Sequence, residues 1–123
     1  MDKIWANSGD SHFLEPDDLW RSNLPAKLAD LMPRSEKDPD GEHETVHVDG
    51  QSFRRRLPNP KLEEFREASS RPPGARDATA RLVDLDAEGI WGEVVFPSLG
   101  MWNASFRTRE ALREAIKVSN DWA

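Results

Sequence analysis

The sequence predicts an α/β protein, and three observations carry that prediction. A capped helix signal runs over residues 77–88, a short apolar run follows at Val94-Val95-Phe96, and a second helix signal begins at Thr108. Helix, short turn, apolar strand, loop and helix in succession is the order in which a parallel sheet is built.

Taken from the start, residues 3–9 form a short first strand ending at Gly9, on weak alternation. Glu15-Pro16-Asp17-Asp18-Leu19-Trp20 reads as a helix start: proline suits the first turn, and the acids suit the positive end of the helix. A second short helix begins at Pro25, runs through Leu28 and Leu31, and is stopped by Pro33. Residues 34–43 are polar, contain Asp38-Pro39-Asp40-Gly41, and read as an exposed loop. Thr45–Val48 and Gln51–Arg54 flank Asp49-Gly50, the pair a type I′ hairpin turn favours. Residues 57–75, rich in Pro, Glu and Arg, read as a surface excursion with one helical turn near Leu62–Phe65.

The later elements are cleaner. Asp77 caps a helix with Ala78, Leu82 and Leu85 on its apolar face, and Gly89 is placed as a left-handed stop. Ile90 to Phe96 reads as a parallel strand buried on both faces and bounded by Pro97. Thr108 caps a last helix whose apolar face is Leu112, Ala115, Ile116 and Trp122. Two parallel strands alone do not make a stable sheet, so the chain is expected to be one incomplete domain of a longer protein. Its parts are a first strand (1–12), an insertion (13–75) and a helix-strand-helix segment (76–123).

Composition narrows the function. A net charge of −6 disfavours a phosphate-tracking nucleic-acid binder, which needs a basic face. Arg54-Arg55-Arg56 is too short to reverse that and reads as a solvated strand end. There is no cysteine, which removes disulfides, thiolate metal sites and thiol nucleophiles. No segment has the length of a membrane span, and Met1–Trp5 lacks the apolar stretch of a signal peptide. The expectation is a soluble cytoplasmic protein with no nucleic-acid or membrane partner. Five tryptophans argue for packed surfaces rather than disorder.

Asp10-Ser11-His12 is the motif with chemical potential. Residues i and i+2 of a strand share a face, so a carboxylate and an imidazole can hold one cation, a donor pair suited to zinc, manganese or iron(II). By itself the triplet more often describes a turn-capping aspartate and a loop histidine. Glu15, three residues on, is a third ligand or an orienting partner for the imidazole, or simply a first-turn acid. His43 and His47 lie on one face of the hairpin and read as sheet residues rather than ligands. Phe96 and the tryptophans read more often as packing residues, but Phe96 and Trp102 lie on the segment leaving the strand's C-terminal end, the catalytic edge in α/β barrels, and are the candidate substrate contacts. Gly89 and Gly92 do not make a phosphate loop, and no G-x-S-x-G elbow is present.

Several blocks together resemble a known family. Asp10–Pro16, Asp18-Leu19-Trp20 and Leu24-Pro25 look like the opening of amidohydrolase family 2, which includes the relatives of aminocarboxymuconate-semialdehyde decarboxylase and of the resorcylate decarboxylases. Arg81–Ile90 and Val94–Pro97 are similar to the blocks that follow, and Ser119-Asn120-Asp121-Trp122 resembles the family's Y-N-D-W segment. The blocks cover nearly the whole chain in the family's order.

The resemblance implies the N-terminal part of a metal-dependent (β/α)8 TIM barrel, with a loop and hairpin insertion after the first strand and the metal at the C-terminal ends of strands. The family's first strand supplies H-x-H, or E-x-H in some decarboxylases; here Asp10 and His12 hold those positions. Its later ligands, a histidine and an aspartate, would lie beyond Ala123, since a full barrel takes about 250 residues. The implied function is a metal-dependent hydrolase or decarboxylase acting on a small carboxylate, amide or aromatic acid, with zinc or manganese as cofactor, and inactive as this segment alone. The expected partners are the small-molecule substrate and either a second copy of the chain or the remainder of the barrel. The competing readings are a non-catalytic truncated remnant and a small interaction domain built on the hairpin and tryptophans.

Overall fold

The computed structural model describes residues 4–57 and 72–123; the helical turn expected near 62–65 lies outside them. In chain order the elements are β1 (Ile4–Phe13), α1 (Ala26–Ala29), β2 (Arg34–Lys37), β3 (His43–Val48), β4 (Gln51–Arg56), a 3-10 turn (Pro73–Ala75), α2 (Ala78–Glu88), β5 (Ile90–Pro97), a 3-10 segment (Gly100–Ser105) and α3 (Arg109–Trp122). The protein is mixed α/β, with one parallel and one antiparallel sheet among the described residues. The described residues group into two compact units, 4–16 with 72–98 and 17–57 with 99–123.

In the first unit β1 pairs in parallel with β5. β1 continues to Phe13, past the expected end at Gly9, because Ser11, His12 and Phe13 pair with Val95, Phe96 and Pro97. Ten residues of β1 run beside eight of β5, and the register shifts between Ile4 and Asn7 and between Ser8 and Ser11 take up the difference. The α2 termini follow the sequence signals. Asp77 Oδ1 accepts from Ala80 N at 2.7 Å, and Gly89 closes the helix in the left-handed region at φ 71°. The 3-10 turn lies tight against α2: a Cβ on Gly74 would sit 3.2 Å from the Arg81 Cα and 2.0 Å from Asp84 Oδ2.

Two expectations for this unit are corrected. Val94, Val95 and Phe96 are 45–52% exposed, not buried on both faces. Of the face Ala78, Leu82 and Leu85, only Leu85 is buried. The physical reason is shared: β5 has one strand neighbour, and α2 meets the strands through a polar pair, Arg81 with Glu93. On the side of Glu93 this polar pair joins α2 to β5, while Val94 and Phe96 face the other side by alternation and stay open.

The second unit holds the main apolar core: Leu19, Trp20, Met32, Ala111 and Ala115, with Leu28, Leu31, Phe106, Val118 and Trp122 packed against it. The helix expected from Pro16 is instead a run of turns over 17–23. Ser22 Oγ donates to Asp18 Oδ2 at 2.8 Å and Asn23 Nδ2 to Leu19 O at 2.6 Å, so short polar side chains compete with the helical ladder before Pro25. Residues 34–37, expected as loop, form β2 along β3. All four are exposed, and such a charged, short edge strand carries no apolar alternation by which to recognise it. The β3–β4 hairpin is as expected, with Asp49 at φ 50° and Gly50 at φ 72°, both positive as a type I′ turn requires.

α3 buries Ala111 and Ala115, whereas Ile116 is 42% exposed and Leu112 only partly buried. The helix turns its small residues inward because Trp20 lies over its backbone and donates from Nε1 to Ala115 O at 3.2 Å. Thr108 is the first residue of the cap by backbone, but its hydroxyl does not close the helix end. Asp49 reaches from the hairpin to the two residues that lead into the helix: Oδ2 accepts from Arg107 N at 2.6 Å and Thr108 N at 2.7 Å, and Oδ1 from Thr108 Oγ1 at 2.8 Å. No helix among the described residues is long and apolar enough to cross a membrane.

Candidate functional site

Asp10 and His12 sit near the C-terminal end of β1, and strand alternation turns both to one side while Ser11 turns to the other. His12 Nε2 is 3.7 Å from Asp10 Oδ1, with the side chains 50% and 85% exposed, whereas Ser11 is buried. On β5, Phe96 is the register partner of His12, and their ring centroids lie 6.4 Å apart at 45°. One sheet edge thus carries a carboxylate, an imidazole and an apolar ring together.

Glu15 is placed differently. It is buried, and its Oε2 accepts from Ser98 N at 3.2 Å, while Ser98 Oγ donates to Phe13 O at 3.1 Å. The carboxylate joins the segments that leave β1 and β5. Among the described residues no three of His, Asp and Glu gather so as to hold a metal ion. Asp10 and His12 fit a divalent cation as two donors, oxygen and nitrogen; a closed shell around zinc takes four.

Trp102 belongs to the second unit. Its ring stacks on Phe53 at 5.6 Å and 29°, and the Arg55 guanidinium lies 5.8 Å from its centroid. The hairpin histidines are engaged by the sheet: His43 Nδ1 is 2.8 Å from Asp40 Oδ2, and His47 Nδ1 is 2.9 Å from Ser52 Oγ. Arg54 bonds Asp38 and Asp40, each at 2.6 Å, and Arg55 pairs with Glu44. Hydrogen bonds from Arg54 and Thr45 hold the Asp38 carboxyl below its ordinary range.

Sequence reasoning missed the polar network on the other side of β1. Arg81 donates to Glu93 twice, Nε to Oε1 at 2.9 Å and Nη2 to Oε2 at 2.7 Å, and the Glu93 side chain is only 8% exposed. The Arg81 guanidinium holds the Glu93 carboxyl below its usual range against the opposing effect of burial, and a hydrogen bond from Ser11 adds to this. Ser11 Oγ is also 3.0 Å from Ser8 Oγ. The alternation of β1 was the available signal for Ser11; nothing local links Arg81 to Glu93.

Comparison with known protein families finds no family that matches the chain, and comparison with curated proteins finds no match.

Proposed function

We propose that this chain contributes the first-strand half of a metal site in a cytoplasmic hydrolase or decarboxylase of the amidohydrolase type, built on a (β/α)8 barrel. One observation supports the reading most directly: Asp10 and His12 lie side by side on an open strand end with Phe96 beside them. In this reading Asp10 Oδ and His12 Nε2 are two ligands of zinc or manganese, and the remaining ligands come from later strands. Bound there, the metal would act as a Lewis acid toward water or a substrate carboxylate.

The chain's own residues have separate tasks. Asp10 offsets part of the cation's charge, and His12 supplies the borderline nitrogen donor. Phe96 offers an apolar wall to a small carboxylate, amide or aromatic acid. Glu15, bonded to Ser98 N, acts as a support of the strand ends or as a further ligand.

The test is metal stoichiometry of the intact natural protein after dialysis, by inductively coupled plasma mass spectrometry. Wild type is expected to retain about one zinc or manganese per chain, and Asp10→Ala and His12→Ala to lose it. Equal metal content in all three refutes the ligand assignment. A metal-free wild type that takes up neither ion favours a non-catalytic interaction domain.

A further inference from the structure

Ser11 lies between the two candidate ligands in sequence and points away from them, buried at 8% exposure. A buried hydroxyl needs partners. Ser11 has one proton, and a carboxylate only accepts. Ser11 therefore donates to Glu93 and accepts from Ser8 at 3.0 Å. Glu93 in turn is fixed by the two-pronged Arg81 of α2.

β1 needs such a tie. In a regular strand residues 8 and 11, an odd number apart, face opposite sides. Here the register shift between them brings both hydroxyls to one side. A slip of one residue in this segment would send Asp10 and His12 to the opposite face.

We infer that Arg81, Glu93, Ser11 and Ser8 form a register lock that holds Asp10 and His12 on the open face of the sheet, Ser11 and Glu93 being positioning residues for that pair. The metal arm of the test rests on the function proposed above; the ring-contact arm does not.

The intact protein is compared with Ser11→Ala, Glu93→Gln and the hydroxyl-retaining Ser11→Thr. The first readout, taken without metal, is the nuclear Overhauser effect between the His12 and Phe96 rings, whose centroids lie 6.4 Å apart in the structure. It is expected to weaken in Ser11→Ala and Glu93→Gln and to persist in Ser11→Thr, with far-ultraviolet circular dichroism unchanged throughout. The second readout is zinc affinity by titration calorimetry, expected to fall about tenfold in Ser11→Ala and to recover in Ser11→Thr, the scale on which orienting partners act. A ring contact unchanged in both disrupting variants overturns the lock. So does an unchanged zinc affinity in Ser11→Ala where wild type binds zinc. If wild type binds no zinc, the metal reading fails, and the ring contact alone decides for or against the lock.

Discussion

Replacing Asp49 by alanine should loosen the junction between hairpin and last helix, because one carboxylate there does two jobs. It accepts three hydrogen bonds at the N-terminus of α3, from Arg107 N, Thr108 N and Thr108 Oγ1. It also occupies the first turn position of the hairpin at φ 50°. Loss of these hydrogen bonds to a carboxylate costs about 1 kcal/mol, since the site is partly exposed and water takes over some of them. Alanine at positive φ adds about 1 kcal/mol, because it lacks the local hydrogen bonding that lets aspartate tolerate that region. Asp49→Ala should therefore lose about 2 kcal/mol in urea unfolding followed by tryptophan fluorescence. Asp49→Asn should lose about half as much, because it keeps the turn and one acceptor. Hydrogen exchange localises the effect: the Arg107 and Thr108 amides should lose protection in Asp49→Ala. Burial pushes the Asp49 carboxyl up, but the bonds from Thr108 and Arg107 outweigh it and leave it lowered. The unfolded state then binds the proton more readily, so this stabilisation is present above about pH 4 and lost as pH falls through the folded-state value. An alanine variant within about 0.5 kcal/mol of wild type by the same assay would refute this account of the junction.

Other predictions follow from the same geometry. Glu93→Ala should destabilise the first unit by about 2 kcal/mol, less than the 3–5 of a fully buried pair because Arg81 keeps 28% exposure. The Glu93 carboxyl is lowered chiefly by Arg81, so its contribution is present above about pH 4.3 and is lost on acidification. An acid titration of stability should accordingly be shallower in Glu93→Gln. Gly89→Ala, at φ 71°, should cost about 1 kcal/mol by thermal unfolding. Val46→Ala, at 1% exposure, should cost about 2 kcal/mol, from two lost methyl groups and the space they leave.

The sequence revealed those features whose cause is local. Asp77 and Gly89 bracket α2 because cap and stop are single-residue chemistry, and Asp49-Gly50 sets the hairpin because only such residues enter both positive-φ positions. β2 was hidden because its four residues are exposed and pair through backbone alone. The expected face of α3 holds at Ala115, which is buried, and at Trp122, which packs on the core, but not at Ile116, and it omits the buried Ala111; the deciding contact, Trp20 with Ala115 O, lies 95 residues away in sequence. Asp10 and His12 share a face because β1 extends through both and places residues i and i+2 on one side. The role of Glu15 at Ser98 N, 83 residues distant, and the Arg81–Glu93 pair beneath the strand are tertiary facts without a local mark.

β1 spends ten residues on a span that β5 covers in eight, and this surplus bears on how the strand tolerates insertions and deletions. Deleting Gly9 would bring Ser8 and Ser11 into ordinary alternation, two positions apart, with Asp10 between them on the opposite side. Loss of Gly9 alone thus leaves the orientation of the pair unchanged. Downstream there is no slack: from Ser11 to Phe13 the pairing is one for one, and loss of Ser11 would invert His12 relative to Asp10. Loss of a residue from this strand is expected to be tolerated at Gly9 and selected against at Ser11.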